Sequence, residues 1–205
     1  MNEKYYVLSI DPGVVNLSYC LLERRSKNII DWDVFTIGSS DLMTQAKKLH
    51  ARLSEIKLPG VTEVVVELQM GINVRTNRVV AMITMFYATH PQISGLRMFS
   101  PKHKISYYKR APEDPPMAIV NGKEYASEKL AKLDSSKAYY RTKRTLVEHC
   151  VRIISRKQYE MWKNKFLWAM KKDDLADSFI QGLAFIDQTT YDAPKSDSYT
   201  FFKME

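Results

Sequence analysis

The chain has 205 residues, of which 45% are hydrophobic and 26% are charged, and this composition excludes intrinsic disorder. Its only two cysteines, Cys20 and Cys150, are too few for a disulfide framework or a cysteine-rich zinc site, so we expect two buried thiols in a reducing, intracellular compartment. No apolar run approaches the ~20 residues that cross a bilayer, and no charged-then-apolar leader precedes the first predicted strand. We therefore expect neither a membrane association nor secretion.

Basic residues are concentrated in one part of the chain. The formal net charge is +8, but residues 97–172 contain 19 Lys and Arg against 7 Asp and Glu, a local charge of +12 that leaves −4 for the remainder. A basic half beside an acidic remainder favours a polyanionic partner, most simply nucleic acid. The alternative is a solvated basic surface that has no partner.

Three predicted strands follow one another closely at the start of the chain. Residues 5–10, 16–22 and 29–37 are rich in apolar and aromatic side chains, and the connections between them are short. Turns this tight predict an antiparallel meander. The first strand runs into Asp11, and the Pro-Gly turn that follows sends the chain back on itself.

A helix and a buried strand are predicted next. Ser39 or Ser40 would cap a helix at 41–57, in which apolar residues recur at steps of three and four. The β-branched run at 64–66 predicts a strand at 61–67 that is buried on both faces. A right-handed crossover would place this strand parallel to the first one.

The second half of the chain is mainly helical. Helices are predicted at 75–87, 134–154, 157–170 and 171 to about 186, and a short strand at 96–100. We expect one domain at 1–188 with a basic, Pro-containing loop at about 101–126, followed by a polar tail at 189–205. The fold class is α/β, with a mixed five-stranded sheet flanked by helices.

Two acidic residues end strands that are predicted to be neighbours. Asp11 follows the first strand, and Glu67 ends the strand at 61–67. Because parallel neighbours end at the same edge of a sheet, the two carboxylates should lie close together and repel unless a cation or a proton lies between them. The alternative is that Asp11 only begins the turn.

A second acidic group begins the last predicted helix. Asp174 and Asp177 are three residues apart, and Asp173 and Asp177 are four apart, so either pair would share one helix face. The spacing alone does not select between the pairs, and acids in a first turn also serve as helix-dipole partners.

Together these acids predict a metal site. Four converging carboxylates without His or Cys select Mg²⁺ or Mn²⁺ over Zn²⁺. Two such ions per active site would support in-line hydrolysis of a phosphodiester. Lys102 or Lys104, just past a predicted strand end, could neutralise charge on the phosphate.

Four segments in this order resemble the RuvC-type Holliday junction resolvases, and in particular the branch of poxviruses and related large DNA viruses. The segments are Ser9-Ile10-Asp11-Pro12-Gly13, Asn16-Leu17-Ser18-Tyr19, Val65-Val66-Glu67 and Asp174-Leu175-Ala176-Asp177-Ser178. The resemblance spans roughly residues 5–187. It implies a ribonuclease-H-like fold, a homodimer, and Mg²⁺-dependent symmetric nicking of four-way DNA junctions, in the host cytoplasm if the protein is viral.

The resemblance also implies roles for individual residues. By position, the metal-binding carboxylates would be Asp11, Glu67, Asp174 and Asp177, with Asp174 favoured over Asp173 by the Asp-x-x-Asp spacing. Lys104 is favoured over Lys102 as the basic catalytic residue. DNA-binding residues are expected among the basic side chains Arg75, Arg78, Lys102, Lys104, Arg141, Lys143 and Arg144. The Met- and aromatic-rich helix at 75–87 is the candidate dimer interface, with a purely core role as the alternative.

Three other functions are compatible with parts of the pattern. Actin- and Hsp70-like ATPases begin with a similar strand-end Asp, but here Val14 and Val15 stand where those proteins hold phosphate with Ser or Thr. No Gly-rich adenosine loop is present among the seven glycines, so no small-molecule cofactor is expected. The remaining alternatives are a nuclease that acts on RNA–DNA hybrids or other branched DNA, and a non-catalytic protein that binds junctions or nucleic acid.

Overall fold

Five strands form one mixed sheet in the computed structural model, which describes residues 5–39, 41–69, 73–110 and 138–191. The strands are β1 (Tyr6–Asp11), β2 (Asn16–Glu23), β3 (Ile29–Thr36), β4 (Thr62–Glu67) and β5 (Ile93–Phe99). Their order across the sheet is β3-β2-β1-β4-β5. The β1–β2 and β2–β3 pairs are antiparallel, whereas β1–β4 and β4–β5 are parallel. The predicted meander and the predicted return of the fourth strand beside the first are both confirmed.

Helices cover both faces of the sheet. Within the described ranges they are α1 (Leu42–Glu55), α2 (Val74–Ala88), α3 (Pro101–Arg110), α4 (Ala138–Ile154), α5 (Glu160–Trp168) and α6 (Lys172–Tyr191), with a 3₁₀ turn at Lys157–Tyr159 before α5. The helices α1 and α2 pack on one face, and α4, α5 and α6 pack on the other. Over the same residues, no helix is both long enough and apolar enough to cross a membrane.

Alternate residues of the central strands belong to two separate apolar cores. Val7 and Val65 pack in the core beneath α4, α5 and α6, whereas Leu8, Ile10 and Val64 pack in the core beneath α1 and α2. All five side chains are fully buried. Because both faces are covered, β1 and β4 need largely apolar sequences, and the acids Asp11 and Glu67 are the last residues of these two strands.

The predicted cap of α1 was wrong. Asp41, not Ser39 or Ser40, caps α1: its Oδ2 accepts a hydrogen bond from the Thr44 N–H at 2.6 Å, and Ser39 instead accepts from the N–H of Asp41. Ser40 lies outside the described residues. Asp is as good a cap as Ser, and its carboxylate also interacts favourably with the positive end of the helix dipole.

The start of the predicted loop at 101–126 is helical. Pro101 opens α3, a position where its missing N–H costs nothing and its fixed φ suits a helix. Tyr107 packs against the core beneath α4 to α6, so burial supports a helix that the sequence pattern did not reveal. Residues 111–126 lie outside the described part of the chain. The last helix continues to Tyr191, past the predicted start of the tail at residue 189.

Both cysteines are free and buried, as predicted. Burial raises the pKa of the Cys20 and Cys150 thiols well above the ordinary value, so neither is activated as a thiolate.

We expect Gly182→Val to destabilise the fold by about 1–3 kcal/mol, because α6 lies close to the sheet there. A Cβ at Gly182 would stand 2.7 Å from Leu22 Cδ1 and 3.1 Å from Ser9 Cβ. Gly95→Val is the matched control, since a Cβ there meets no atom within 4 Å. Urea unfolding would measure both variants, and equal losses of stability would show that the close approach is not limiting.

Candidate active site

Two carboxylates end adjacent parallel strands at one edge of the sheet. The register pairs Ile10 of β1 with Val66 of β4, and the next residues along the two strands are Asp11 and Glu67. Neighbouring strands lie about 4.8 Å apart, so the backbones of these two acids are similarly close. The structure therefore places Asp11 and Glu67 together, as the sequence predicted.

Helix α6 is fixed across the same strand ends by polar contacts. The Gln181 side-chain amide donates to the carbonyl of Ile10 at 3.1 Å and to the carbonyl of Val65 at 3.3 Å. The Ser18 hydroxyl donates to the backbone carbonyl of Asp174 at 2.5 Å. Ser18 is also the β2 partner of Asp11 in the sheet. These contacts place the first turns of α6 over the end of β1.

Asp11 is at the electrostatic centre of this arrangement. Its pKa is raised well above the ordinary value of 3.8, first by burial and then by the negative charges of Asp177, Glu67 and Asp174, with Lys104 acting in the opposite direction. Each of the three other acids is therefore near enough to disfavour a charge on Asp11. We call Asp11, Glu67, Asp174 and Asp177 the acidic cluster.

Lys104 projects from α3 into the acidic cluster. Its ammonium group contacts Glu67 Oε2 and donates to Asp177 Oδ1 at 2.8 Å, and only 8% of its side chain is exposed. Burial alone would lower the pKa of Lys104, but the charges of Asp177, Asp11 and Glu67 outweigh it and raise the pKa above the ordinary value. Lys104 is therefore a buried, fully protonated counter-ion. Lys102, the alternative in the sequence, is exposed on the same helix.

We expect Asp11→Asn to stabilise the metal-free protein at neutral pH. Because the folded pKa is raised, the free energy of unfolding falls as the pH rises from 3.8 through the folded pKa, and this loss is complete above it. The neutral amide removes the loss, so the gain should be present at about pH 7.5 and absent at about pH 3. Thermal unfolding in EDTA at both pH values would measure it. An unchanged melting temperature at about pH 7.5 would contradict the raised pKa.

Asp173 forms an ion pair with a lysine of α4. Its Oδ2 lies 2.5 Å from the Lys143 Nζ of α4, which is 3.9 Å from Asp174 Oδ1. Partial burial acts against ionisation of Asp173, but the hydrogen bond and charge of Lys143 outweigh it and lower the pKa. The pKa of Asp174 is instead raised, first by burial and then by the charge of Asp173. Of the two acids that the spacing left open, Asp174 is among the charges that raise the pKa of Asp11.

The acidic cluster has the donor chemistry of a Mg²⁺ site. Its ligand atoms would all be carboxylate oxygens, and a divalent cation would relieve the repulsion that raises the pKa of Asp11. In the part of the chain that the structure describes, no three His, Cys, Asp or Glu side chains are already arranged around a common metal position. Lys104 instead bridges two of the acids, so a bound cation would share or replace its contacts.

The other predicted DNA-binding residues stand on α2, α3 and α4. Arg75 and Arg78 are exposed near the start of α2. Lys143 is paired with Asp173, and Arg144 pairs with Glu148 at 3.0 Å. The Arg141 side chain lies outside the described residues. Lys104 thus pairs with an acid of the cluster, and Lys143 pairs with the acid Asp173 at the start of α6.

Helix α2 is the candidate dimer interface, and a core role was the alternative. Val79, Ile83 and Tyr87 are buried in the core, which confirms the core role for that stripe. Met85 is largely exposed. A dimer interface at α2 stays a prediction.

Two residues that position the site were missed by reasoning from sequence. Gln181 follows Asp177 by four residues, and Ser18 lies opposite Asp11 in the β1–β2 pair. A polar residue in an otherwise apolar helix stripe was a usable indication for Gln181. Nothing local distinguished Ser18 from an ordinary strand serine.

The chain was compared with protein families, curated proteins and solved structures. No protein-family model and no curated protein matches the sequence. Solved structures do match. Thermus thermophilus RuvC is 14% identical, with 91% of this chain and 96% of that chain covered at a TM-score of 0.53. The same protein solved with a Holliday junction substrate is 12% identical, with coverages of 90% and 96% and a TM-score of 0.52.

A viral enzyme structure matches to a similar degree. Fowlpox virus resolvase, solved with substrate Holliday junction DNA, is 16% identical, with 89% of this chain and 99% of that chain covered at a TM-score of 0.51. At such low identities the similarity shows the fold alone. The chain has the ribonuclease-H-like fold of the RuvC and poxvirus resolvase structures, which confirms the predicted fold class.

Proposed function

We propose that this protein is a metal-dependent endonuclease that resolves four-way DNA junctions by paired, symmetric nicks. The observation that carries the proposal is the acidic cluster at the sheet edge, with a buried, protonated lysine in its midst. The shared fold with resolvases solved on junction DNA supports it. We also propose the poxvirus branch as the nearest group, on the strength of the four sequence segments that resemble it.

The acidic cluster would hold two Mg²⁺ or Mn²⁺ ions, which supply positive charge for water activation and for the leaving 3′-oxygen when bound. The four carboxylates are fixed by strand ends and by α6, so their positions do not depend on the substrate. Lys104 keeps its proton at neutral pH. A phosphate that enters the site can therefore take the ammonium contacts that Glu67 and Asp177 hold in its absence.

The charge of the chain supports a DNA substrate, and paired cutting calls for a homodimer. A net charge of +12 over residues 97–172 attracts a dense array of phosphates. A homodimer would bring two such sites to one junction, which permits cuts at equivalent positions in opposing strands. A monomer would nick only one strand at each encounter.

A cleavage assay on a synthetic four-way junction tests the proposal. In Mg²⁺ we expect paired nicks at equivalent positions of two opposing strands, no cleavage of the linear duplex built from the same arms, and no product in EDTA. Binding without cleavage in both Mg²⁺ and Mn²⁺ would favour a non-catalytic binding protein. Cleavage of an RNA–DNA hybrid but not of junctions would favour a hybrid nuclease. Sedimentation as a monomer at micromolar concentration would contradict paired cutting.

A further inference from the structure

The connection between α5 and α6 exposes two large apolar side chains a few residues before Asp174 of the acidic cluster. Trp168, the last residue of α5, is 86% exposed, and Met170 is 100% exposed. Large apolar groups this exposed are informative, because a solvent-facing tryptophan gains nothing for folding from its size. We therefore looked to a binding role for Trp168 and Met170, since neither side chain contributes to the core.

The position of the pair is set by the start of α6. Met170 precedes Asp173 by three residues, so their Cα atoms are at most about 11 Å apart, and the Cα atoms of Trp168 and Asp174 are at most about 22 Å apart. Lys171 is near enough for its charge to act on both Asp173 and Asp174. The exposed pair thus lies within a few nucleotides of any phosphodiester held at the acidic cluster.

The lysines around Trp168 and Met170 indicate which kind of molecule would bind there. Residues 157–172 contain five lysines and one glutamate. An apolar protein partner would not need this excess, whereas a nucleic acid would meet lysines with its phosphates and flat side chains with its bases. Of the neighbouring tryptophans, Trp162 donates its Nε1–H to the Ile29 carbonyl at 3.1 Å, and Trp32 is fully buried. Trp168 is the tryptophan with an exposed ring.

We propose that Trp168 and Met170 form a base-stacking surface for an unpaired or splayed nucleotide beside the scissile phosphate. This inference deepens the proposed function and rests on it for the location of the phosphate. Lys171 would bind the adjoining phosphate, while the indole ring of Trp168 covers the face of the base. The stacking is tolerant of sequence, because every base presents a π face.

The binding of a fluorescein-labelled four-way junction and of a labelled oligothymidylate, measured in EDTA, tests the surface without requiring cleavage. We expect Trp168→Ala to weaken both affinities about 5- to 150-fold and Trp168→Phe to stay within about threefold of the wild type. Met161→Ala is the matched control. Met161 is 90% exposed but lies two helical turns, about 10 Å, back along α5, so its loss should change affinity less than about twofold.

Salt dependence separates stacking from phosphate contact. Trp168→Ala should leave the slope of log K against log salt unchanged, whereas Lys171→Gln should reduce its magnitude by about one. The wild-type protein should also lose Trp fluorescence on binding oligothymidylate, and this quenching should be absent from Trp168→Phe.

Three results would overturn the inference. One is unchanged affinity of Trp168→Ala for both DNA probes. Another is a loss of affinity that Trp168→Phe does not restore and that accompanies a lower melting temperature, which would indicate a structural role. The third is a change in sedimentation of Trp168→Ala without DNA, which would show that the ring contacts protein. A protein that stacks bases through Trp168 but cuts no junction would leave this surface intact and refute the nuclease proposal instead.

Discussion

Asp11→Asn should reduce junction cleavage by about 10³-fold or more while junction affinity stays within about threefold of the wild type. Asp11 ends the central strand, and every other member of the acidic cluster acts on it. The amide keeps the shape of the side chain but removes the charge that a divalent cation would require. Single-turnover cleavage in Mg²⁺ and junction binding in EDTA measure the two quantities separately.

Asp173→Asn is the matched control for this variant. Asp173 is an adjacent acid of α6, but its carboxylate pairs with Lys143 instead of joining the acidic cluster. We expect its cleavage rate to stay within about tenfold of the wild type, because it contacts neither Asp11 nor Lys104 in the described structure. Equal losses in the two variants, or an active Asp11→Asn, would show that the acidic cluster is not the reacting centre.

Lys104→Met should destabilise the metal-free protein by about 3–5 kcal/mol, because it leaves Glu67 and Asp177 at the site without their buried counter-ion. For a chain of this size that corresponds to a fall of roughly 6–20 °C in melting temperature. Mg²⁺ should recover more stability in the variant than in the wild type, since it binds where the ammonium group was and favours the folded state by mass action. Thermal unfolding with and without Mg²⁺ would measure both effects.

Lys102→Met provides the comparison on the same helix. Lys102 is exposed, so its replacement should change the free energy of unfolding by no more than about 0.5 kcal/mol.

If Mg²⁺ raises the melting temperature equally in the wild type and in Lys104→Met, the metal and the lysine do not compete for the acids. A Lys104→Met protein that is as stable as the wild type in EDTA would show that the ion pairs contribute little.

Some features of this protein follow from local sequence. The apolar run before Asp11 and the β-branched run before Glu67 indicate buried strands, because side chains covered on both faces must be apolar. Parallel pairing of those strands brings the two acids to one edge. The three-residue spacing of Asp174 and Asp177 places both on one face of α6, since this spacing is close to one helical turn. These relations need only periodicity and strand direction.

Other features were decided by tertiary contacts between residues distant along the chain. The hydrogen bond between Ser18 and Asp174 joins positions 156 residues apart, and that between Gln181 and Ile10 joins positions 171 apart. Residues 101–110 form helix α3 where a loop was expected. Their sequence is rich in Lys and has no clear apolar period, but the packing of Tyr107 against the core stabilises the helix.

The sequence by itself therefore determined which acids could meet, because strand ends and helical spacing are local properties. Residue spacing left the pairs Asp173/Asp174 and Lys102/Lys104 open, and only the resemblance to resolvases favoured Asp174 and Lys104. The tertiary structure supplies the physical basis, since Lys104 pairs with Asp177 and the charge of Asp174 acts on Asp11. In each pair the neighbours are chemically alike, and the choice depends on which side chain the packing of α3, α4 and α6 directs toward Asp11.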